Sequence, residues 1–162
     1  MIILGVDPGT TRIGYGIIER VGGTLKYRAS GILPIAPHQS ENSRLPMIER
    51  EFEKLIAETP PDRMGIERLF FSKNQKTAMS VAQARGILVN VAMRRGIPVM
   101  ERTPLQVKIA VTSDGNATKH AVAFMVRTLL ALPKTLRLID DATDALAVAI
   151  SVANRLDDAA KQ

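Results

Sequence analysis

Ile2-Ile3-Leu4-Gly5-Val6-Asp7-Pro8-Gly9-Thr10-Thr11 is an apolar run that stops abruptly on a carboxylate and a turn. Ile2, Ile3, Leu4 and Val6 do not alternate with polar residues, so a strand built from them is covered on both faces and belongs in the middle of a sheet. Pro8 has no N–H to give a ladder and Gly9 accepts φ > 0, so the strand ends there. Asp7 therefore stands at the tip of a buried strand. A carboxylate is costly in that place unless a positive charge neutralises it, and a bound cation does so best. A solvated turn Asp, common after any strand, is the plain alternative on this stretch alone.

Downstream, Ile13 to Glu19 and Leu25 to Leu33 read as two further strands joined by the Val21-Gly22-Gly23 turn, which makes an antiparallel meander. Gly14 and Gly16 weaken a strand and so predict a bulge or the close approach of another element. Pro34 to Ser43 is a loop, and its His38 has no partner at metal spacing. Leu45, Ile48, Phe52, Leu55 and Ile56 predict an amphipathic helix over Ser43 to Glu58, stopped by Pro60-Pro61. Arg63 to Leu69 reads as a strand with Glu67 near its end. Asn74 to Arg95 is a long helix with apolar residues on more than one face, which predicts burial against the sheet and against a second subunit.

Gly96 to Met100 is expected as a fifth strand, and Thr103-Pro104 as an N-cap followed by proline at the first helical position. Asn116 is a candidate cap for the next helix, which Pro133 ends. A last helix is expected from about Asp140 to Asn154. The order β-β-β-α-β-α-β-α-α-α predicts an α/β fold, a five-stranded mixed sheet with helices on both faces. The expected organisation is one domain over residues 1–154 and a charged tail over 155–162.

At 162 residues with 46% hydrophobic content, the chain has enough apolar surface for one sizeable core. It contains no cysteine, which excludes disulfides, thiolate metal sites and Cys nucleophiles. No basic n-region precedes the apolar start and no run approaches membrane-spanning length, so a cytoplasmic protein is expected. Lys and Arg number 22 against 16 Asp and Glu, a net charge of +6, which makes a polyanion the first partner to consider. Aromatic residues at 4% argue against a broad base-stacking platform.

Asp141 and Asp144 stand three apart at the start of the last helix and share a face within its first turn. The positive end of the helix macrodipole favours acids there without any function. Asp140 is four residues from Asp144, and spacing alone does not separate it from Asp141. With Asp7 and Glu67 added, two strand-end carboxylates and a helix-start pair can converge in a basic chain. Converging carboxylates must be metallated or protonated, because like charges raise one another's pKa. All-oxygen donors suit a hard ion, Mg²⁺ first and Mn²⁺ as its substitute. A metal-dependent cleavage of nucleic acid is the chemistry such a site supports.

The sequence resembles the RuvC crossover-junction endodeoxyribonucleases, which resolve Holliday junctions and share the ribonuclease H-like fold. The resemblance covers nearly the whole chain. It is carried by Gly5-Val6-Asp7-Pro8-Gly9 with Gly14-Tyr15-Gly16, by Ile66-Glu67-Arg68-Leu69-Phe70-Phe71-Ser72-Lys73-Asn74, and by Gln83-Ala84-Arg85-Gly86. Gln106-Val107-Lys108, Ala117-Thr118-Lys119, Met125-Val126-Arg127 and Asp141-Ala142-Thr143-Asp144-Ala145-Leu146-Ala147 complete it. The resemblance implies a four-carboxylate Mg²⁺ site at Asp7, Glu67, Asp141 and Asp144, and its D-A-x-D-A-L pattern prefers Asp141 to Asp140. It also implies a homodimer that makes paired nicks in four-way junction DNA and works with the branch-migration proteins RuvA and RuvB. Lys108 and Lys119 match lysines that face the scissile DNA, and Phe70 matches an aromatic inserted at the junction centre. Solvated lysines and a core Phe are the ordinary alternatives for these three.

One departure stands out. The family's usual Gly-x-Gly turn before the Ala-x-Lys helix is Ser113-Asp114-Gly115 here, a stiffer loop with a negative charge near the expected DNA path. Asp7-Pro8-Gly9-Thr10-Thr11 also fits the phosphate loop of sugar-kinase and actin-type ATPases, but no second D-x-G occurs. A ribonuclease H-like nuclease acting on other nucleic-acid structures and a non-catalytic DNA-binding module are the remaining alternatives.

Overall fold

The computed structural model describes residues 1–9, 12–35, 41–68 and 75–159, without the side chains of 41–42, 75–77 and 155–159. Five strands and five helices follow the expected order: β1 (Ile2–Pro8), β2 (Ile13–Val21), β3 (Thr24–Ile32), α1 (Glu41–Glu58), β4 (Arg63–Glu67), α2 (Gln75–Arg94), β5 (Val99–Arg102), α3 (Pro104–Thr112), α4 (Lys119–Leu129) and α5 (Asp140–Ala159). The sheet order is β3-β2-β1-β4-β5. β1 pairs antiparallel with β2 and parallel with β4; β2 pairs antiparallel with β3, and β4 parallel with β5. The strand that opens the chain is therefore the central one, and the sheet is mixed.

β1 is apolar on both faces because it serves two cores. Leu4 and Val6 pack with Ile13, Ile17, Met64 and Ile66 against α1 and α2 residues such as Phe52, Leu88 and Val91. Ile3 and Ile18 pack on the other side with the buried residues of α3, α4 and α5. Gly5, Gly14, Gly16 and Gly65 face α5, and a Cβ on the first three would meet its backbone: 2.0 Å from the Ala145 oxygen at Gly5, 2.1 Å from the Asp141 oxygen at Gly14, and 2.7 Å from the Leu146 nitrogen at Gly16. Close approach, the second of the two expectations for Gly14 and Gly16, is the reason for these glycines. The irregularity in β2–β3 pairing lies at Ile17/Ile18 instead.

Several boundaries differ from expectation. β5 begins at Val99 because Gly96, at φ +71°, closes α2: its N–H bonds to the Met93 carbonyl and that of Ile97 to Ala92. Thr118, not Asn116, caps α4, its hydroxyl accepting from the Ala121 N–H at 3.1 Å. Asn116 instead donates its N–H to Asp114 Oδ1 at 2.8 Å within the preceding turn. α5 runs on to Ala159 rather than ending near Asn154, since no glycine or proline interrupts Arg155 to Ala159. Thr103 and Gln106 form the expected cap of α3 as a reciprocal capping box. No described helix is long and apolar enough to cross a membrane.

Candidate active site

Asp7 lies at the C-terminal end of β1 and Glu67 is the last residue of β4, so both sit where neighbouring parallel strands finish. Side chains alternate along a strand, so Asp7 shares a face with Gly5 and Glu67 with Gly65. Both glycines lie directly beneath α5, so both carboxylates are delivered to the side on which α5 packs. Asp141 and Asp144 are in the first turns of that helix. Gly14, the partner of Asp7 across the β1–β2 ladder, touches the Asp141 backbone. The stripe of glycines thus lets the start of α5 settle onto the strand tips.

The electrostatics record the gathering. The Asp7 carboxyl is pushed up to about 7, first by burial, then by repulsion from Glu67, Asp144 and Asp141, with Lys119 opposing. Glu67 is also raised, by burial and by Asp144. Lys119 Nζ lies 3.1 Å from Asp144 Oδ2 and 3.4 Å from Asp140 Oδ2, and its pKa is raised chiefly by the hydrogen bond to Asp144. Arg12 Nη1 stands 3.9 Å from Asp141 Oδ2. Cations of the chain itself thus occupy two of the carboxylates. Among the described residues, no three acidic or imidazole side chains form an ion cage as they stand.

Asp140 and Asp141 separate geometrically. Asp141 acts on Asp7, whereas Asp140 is 83% exposed at its side chain and pairs with Lys119 from outside. Lys108 is half-buried on α3, and among the described residues no ion pair joins it to the four carboxylates. Phe70 and His38 lie outside the described residues. Reading the sequence missed Arg12 and the pairing of Asp140 with Lys119. The first had a signal: Arg12 directly precedes the strand that starts at Ile13, and the pairing of Pro8 with Ile13 puts it beside the tip that carries Asp7.

A mixed sheet in this order, flanked by helices on both faces, with acids at the ends of its central parallel strands and at the start of a helix, defines the ribonuclease H-like class of nucleases. Residues 3–152 match the model of the family "Crossover junction endodeoxyribonuclease RuvC". The chain is 47% identical over 150 residues to the RuvC of Desulforamulus reducens, covering 93% of this chain and 91% of that one. It is 46% identical over 156 residues to the RuvC of Heliobacterium modesticaldum, covering 96% of each. The structure of Thermus thermophilus RuvC in complex with Holliday junction substrate superposes with a TM-score of 0.89 at 29% identity, over 98% of this chain and 96% of that one. The chain belongs to the RuvC family of crossover junction endodeoxyribonucleases.

Proposed function

We propose that this protein is a cytoplasmic, divalent-cation-dependent endodeoxyribonuclease that resolves Holliday junctions as a homodimer, with Asp7, Glu67, Asp141 and Asp144 as its catalytic carboxylates. The observation that carries the reading is the gathering of these acids from β1, β4 and α5, with the Asp7 carboxyl pushed up to about 7 by burial first and by its acidic neighbours second. An all-oxygen set whose members repel one another fits a hard cation, Mg²⁺ first and Mn²⁺ as substitute. When bound there, such ions supply the charge that activates water and stabilises the leaving oxygen of an in-line displacement.

The chain's own residues arrange the substrate. Lys119, which pairs with both Asp140 and Asp144, is the cation of this cluster that would contact a phosphate of bound DNA. Lys108 is assigned a second phosphate contact and Phe70 the junction centre, on family resemblance. Ser113, the αL cap of α3 at φ 62°, and Asp114 shape the turn that leads to Lys119. Residues 1–154 form the nuclease domain, and 155–162 are a charged extension.

Two cuts need two sites. α2 exposes Met79, Gln83, Gly86, Asn90 and Met93 at alternating spacings of four and three, with both methionines 66% exposed. A Cβ on Gly86 would meet nothing within 4 Å, so nothing in the described protomer accounts for a glycine in this helix. Close approach of a second copy explains it, in an isologous pairing that presents two identical sites to a nearly two-fold symmetric junction. RuvA and RuvB are the expected branch-migration partners.

The test is to convert each acid to its amide. Asp7→Asn, Glu67→Gln, Asp141→Asn and Asp144→Asn are each expected to lose cleavage by at least ~10² while binding junction in EDTA with wild-type affinity. Near-normal cleavage by any one removes that residue from the site.

A further inference from the structure

Behind Glu67, on the α2 side of the sheet, Arg85 reaches two strands at once. Its Nε donates to the Glu67 carbonyl oxygen at 3.4 Å, and its Nη2 pairs with Glu101 of β5. The Arg85 side chain is only 20% exposed. Glu101 shares a strand face with Val99, which belongs to the core formed with α1 and α2. Arg85 therefore holds β4 and β5 from the face opposite to α5.

The brace falls where the sheet's own support runs out. β4 pairs with β1 only as far as Val6 and Ile66. On the β5 side pairing continues to Glu67 and Arg102, and the Arg68 N–H donates to the Arg102 oxygen at 2.8 Å. Glu67 is thus one residue past its last β1 partner and is fixed from one side of the ladder alone. A guanidinium, planar and with several donors in fixed directions, can hold a carbonyl and a carboxylate together in a way that an ammonium does not reproduce.

We propose that Arg85 is a positioning residue for Glu67, setting the end of β4 from helix α2, so that the direction of the Glu67 carboxylate depends on the helix that carries the exposed stripe. This rests on the reading of Glu67 as an ion ligand. Arg85 acts through the backbone and touches no reacting group.

The test uses the full chain with Arg85→Lys, Glu101→Gln and, as reference, Glu67→Gln. Mn²⁺ binding to the DNA-free protein is followed by electron paramagnetic resonance. Junction affinity against salt in EDTA, thermal unfolding and the metal dependence of cleavage are measured beside it. Arg85→Lys is expected to weaken Mn²⁺ binding and lower turnover by roughly tenfold or more, the usual effect of losing an outer support of a metal ligand. Junction affinity and its salt slope stay at wild type. Glu101→Gln shifts the same quantities less, and it carries the test if Arg85→Lys does not fold. Junction affinity lowered in Arg85→Lys with metal binding intact would make Arg85 a phosphate contact, since lysine keeps the charge but not the two-pronged hydrogen bonding, and would overturn the proposal. Wild-type metal binding and turnover in folded Arg85→Lys and Glu101→Gln would overturn it too. If Glu67→Gln itself binds Mn²⁺ and cleaves normally, the site reading falls first.

Discussion

At Asp7 the requirements of folding and of chemistry oppose each other. Its carboxyl is raised from 3.8 to about 7 in the folded protein, by burial first and by its acidic neighbours second. The folded state therefore holds this proton more tightly than the unfolded one, so stability from this group falls as pH climbs from about 4 to about 7 and does not return above it. In EDTA, Asp7→Asn should melt at a higher temperature than wild type at pH 8, and the gap should close as pH is lowered toward 4. Melting curves at the two pH values decide it; an Asn variant that is less stable at pH 8 would mean that Asp7 is satisfied by the chain alone. Added Mg²⁺ should raise the wild-type melting point at pH 8 and leave Asp7→Asn nearly unmoved, because an ion stabilises only the state that binds it. The place of Asp7 at the end of a central strand was legible because an apolar run stops on Asp-Pro-Gly, while that stretch alone left a solvated turn Asp as the alternative. Spacing alone did not choose between Asp140 and Asp141, which fit the same helical turn; the D-A-x-D-A-L resemblance preferred Asp141, and the packing of α5 on Gly14 brings that residue to the strand tips.

Among the elements, α5 decides whether four acids become one site. Gly14→Ala would put a Cβ 2.1 Å from the Asp141 carbonyl oxygen, so the helix start must move. We expect a stability loss of about 1–3 kcal/mol by urea unfolding, with cleavage lost more severely than stability. Gly23→Ala, where a Cβ meets nothing within 4 Å, should stay within about 0.5 kcal/mol and cleave normally. Equal behaviour of the two variants would show that the glycine stripe does not position α5. The order of elements was readable because strand and helix periods differ and Pro-Gly punctuation is dense. Glycines in β2 signalled a close approach but not what approached, since the partner lies near the other end of the chain. Caps were harder still: Thr118 and Asn116 are both good cap residues, and only the backbone conformation of the α3–α4 turn assigns Thr118 to α4.

For the whole molecule, the stripe on α2 and the one converging group of acids among the described residues lead to the same expectation, a pair of copies acting on a symmetric substrate. Gly86→Arg places a large charged side chain where nothing in the described protomer resists it, so the protomer should fold normally and sediment as a monomer. Paired cutting should fail with it; a Gly86→Arg protein that remains dimeric would move the interface away from α2. The basic balance of the chain and its mixed sheet were plain in the sequence, whereas the sequence pointed to a second copy only through surplus apolar surface on one helix. The most direct test is incubation of the purified protein with end-labelled mobile four-way junction and with linear duplex of the same sequence, each in Mg²⁺ and in EDTA. A metal-dependent junction resolvase makes symmetrically placed nicks in two opposing strands of the junction, sealable by ligase and abolished by EDTA, and leaves the duplex largely uncut. Equal cutting of linear duplex, or cutting that persists in EDTA, would contradict the assignment.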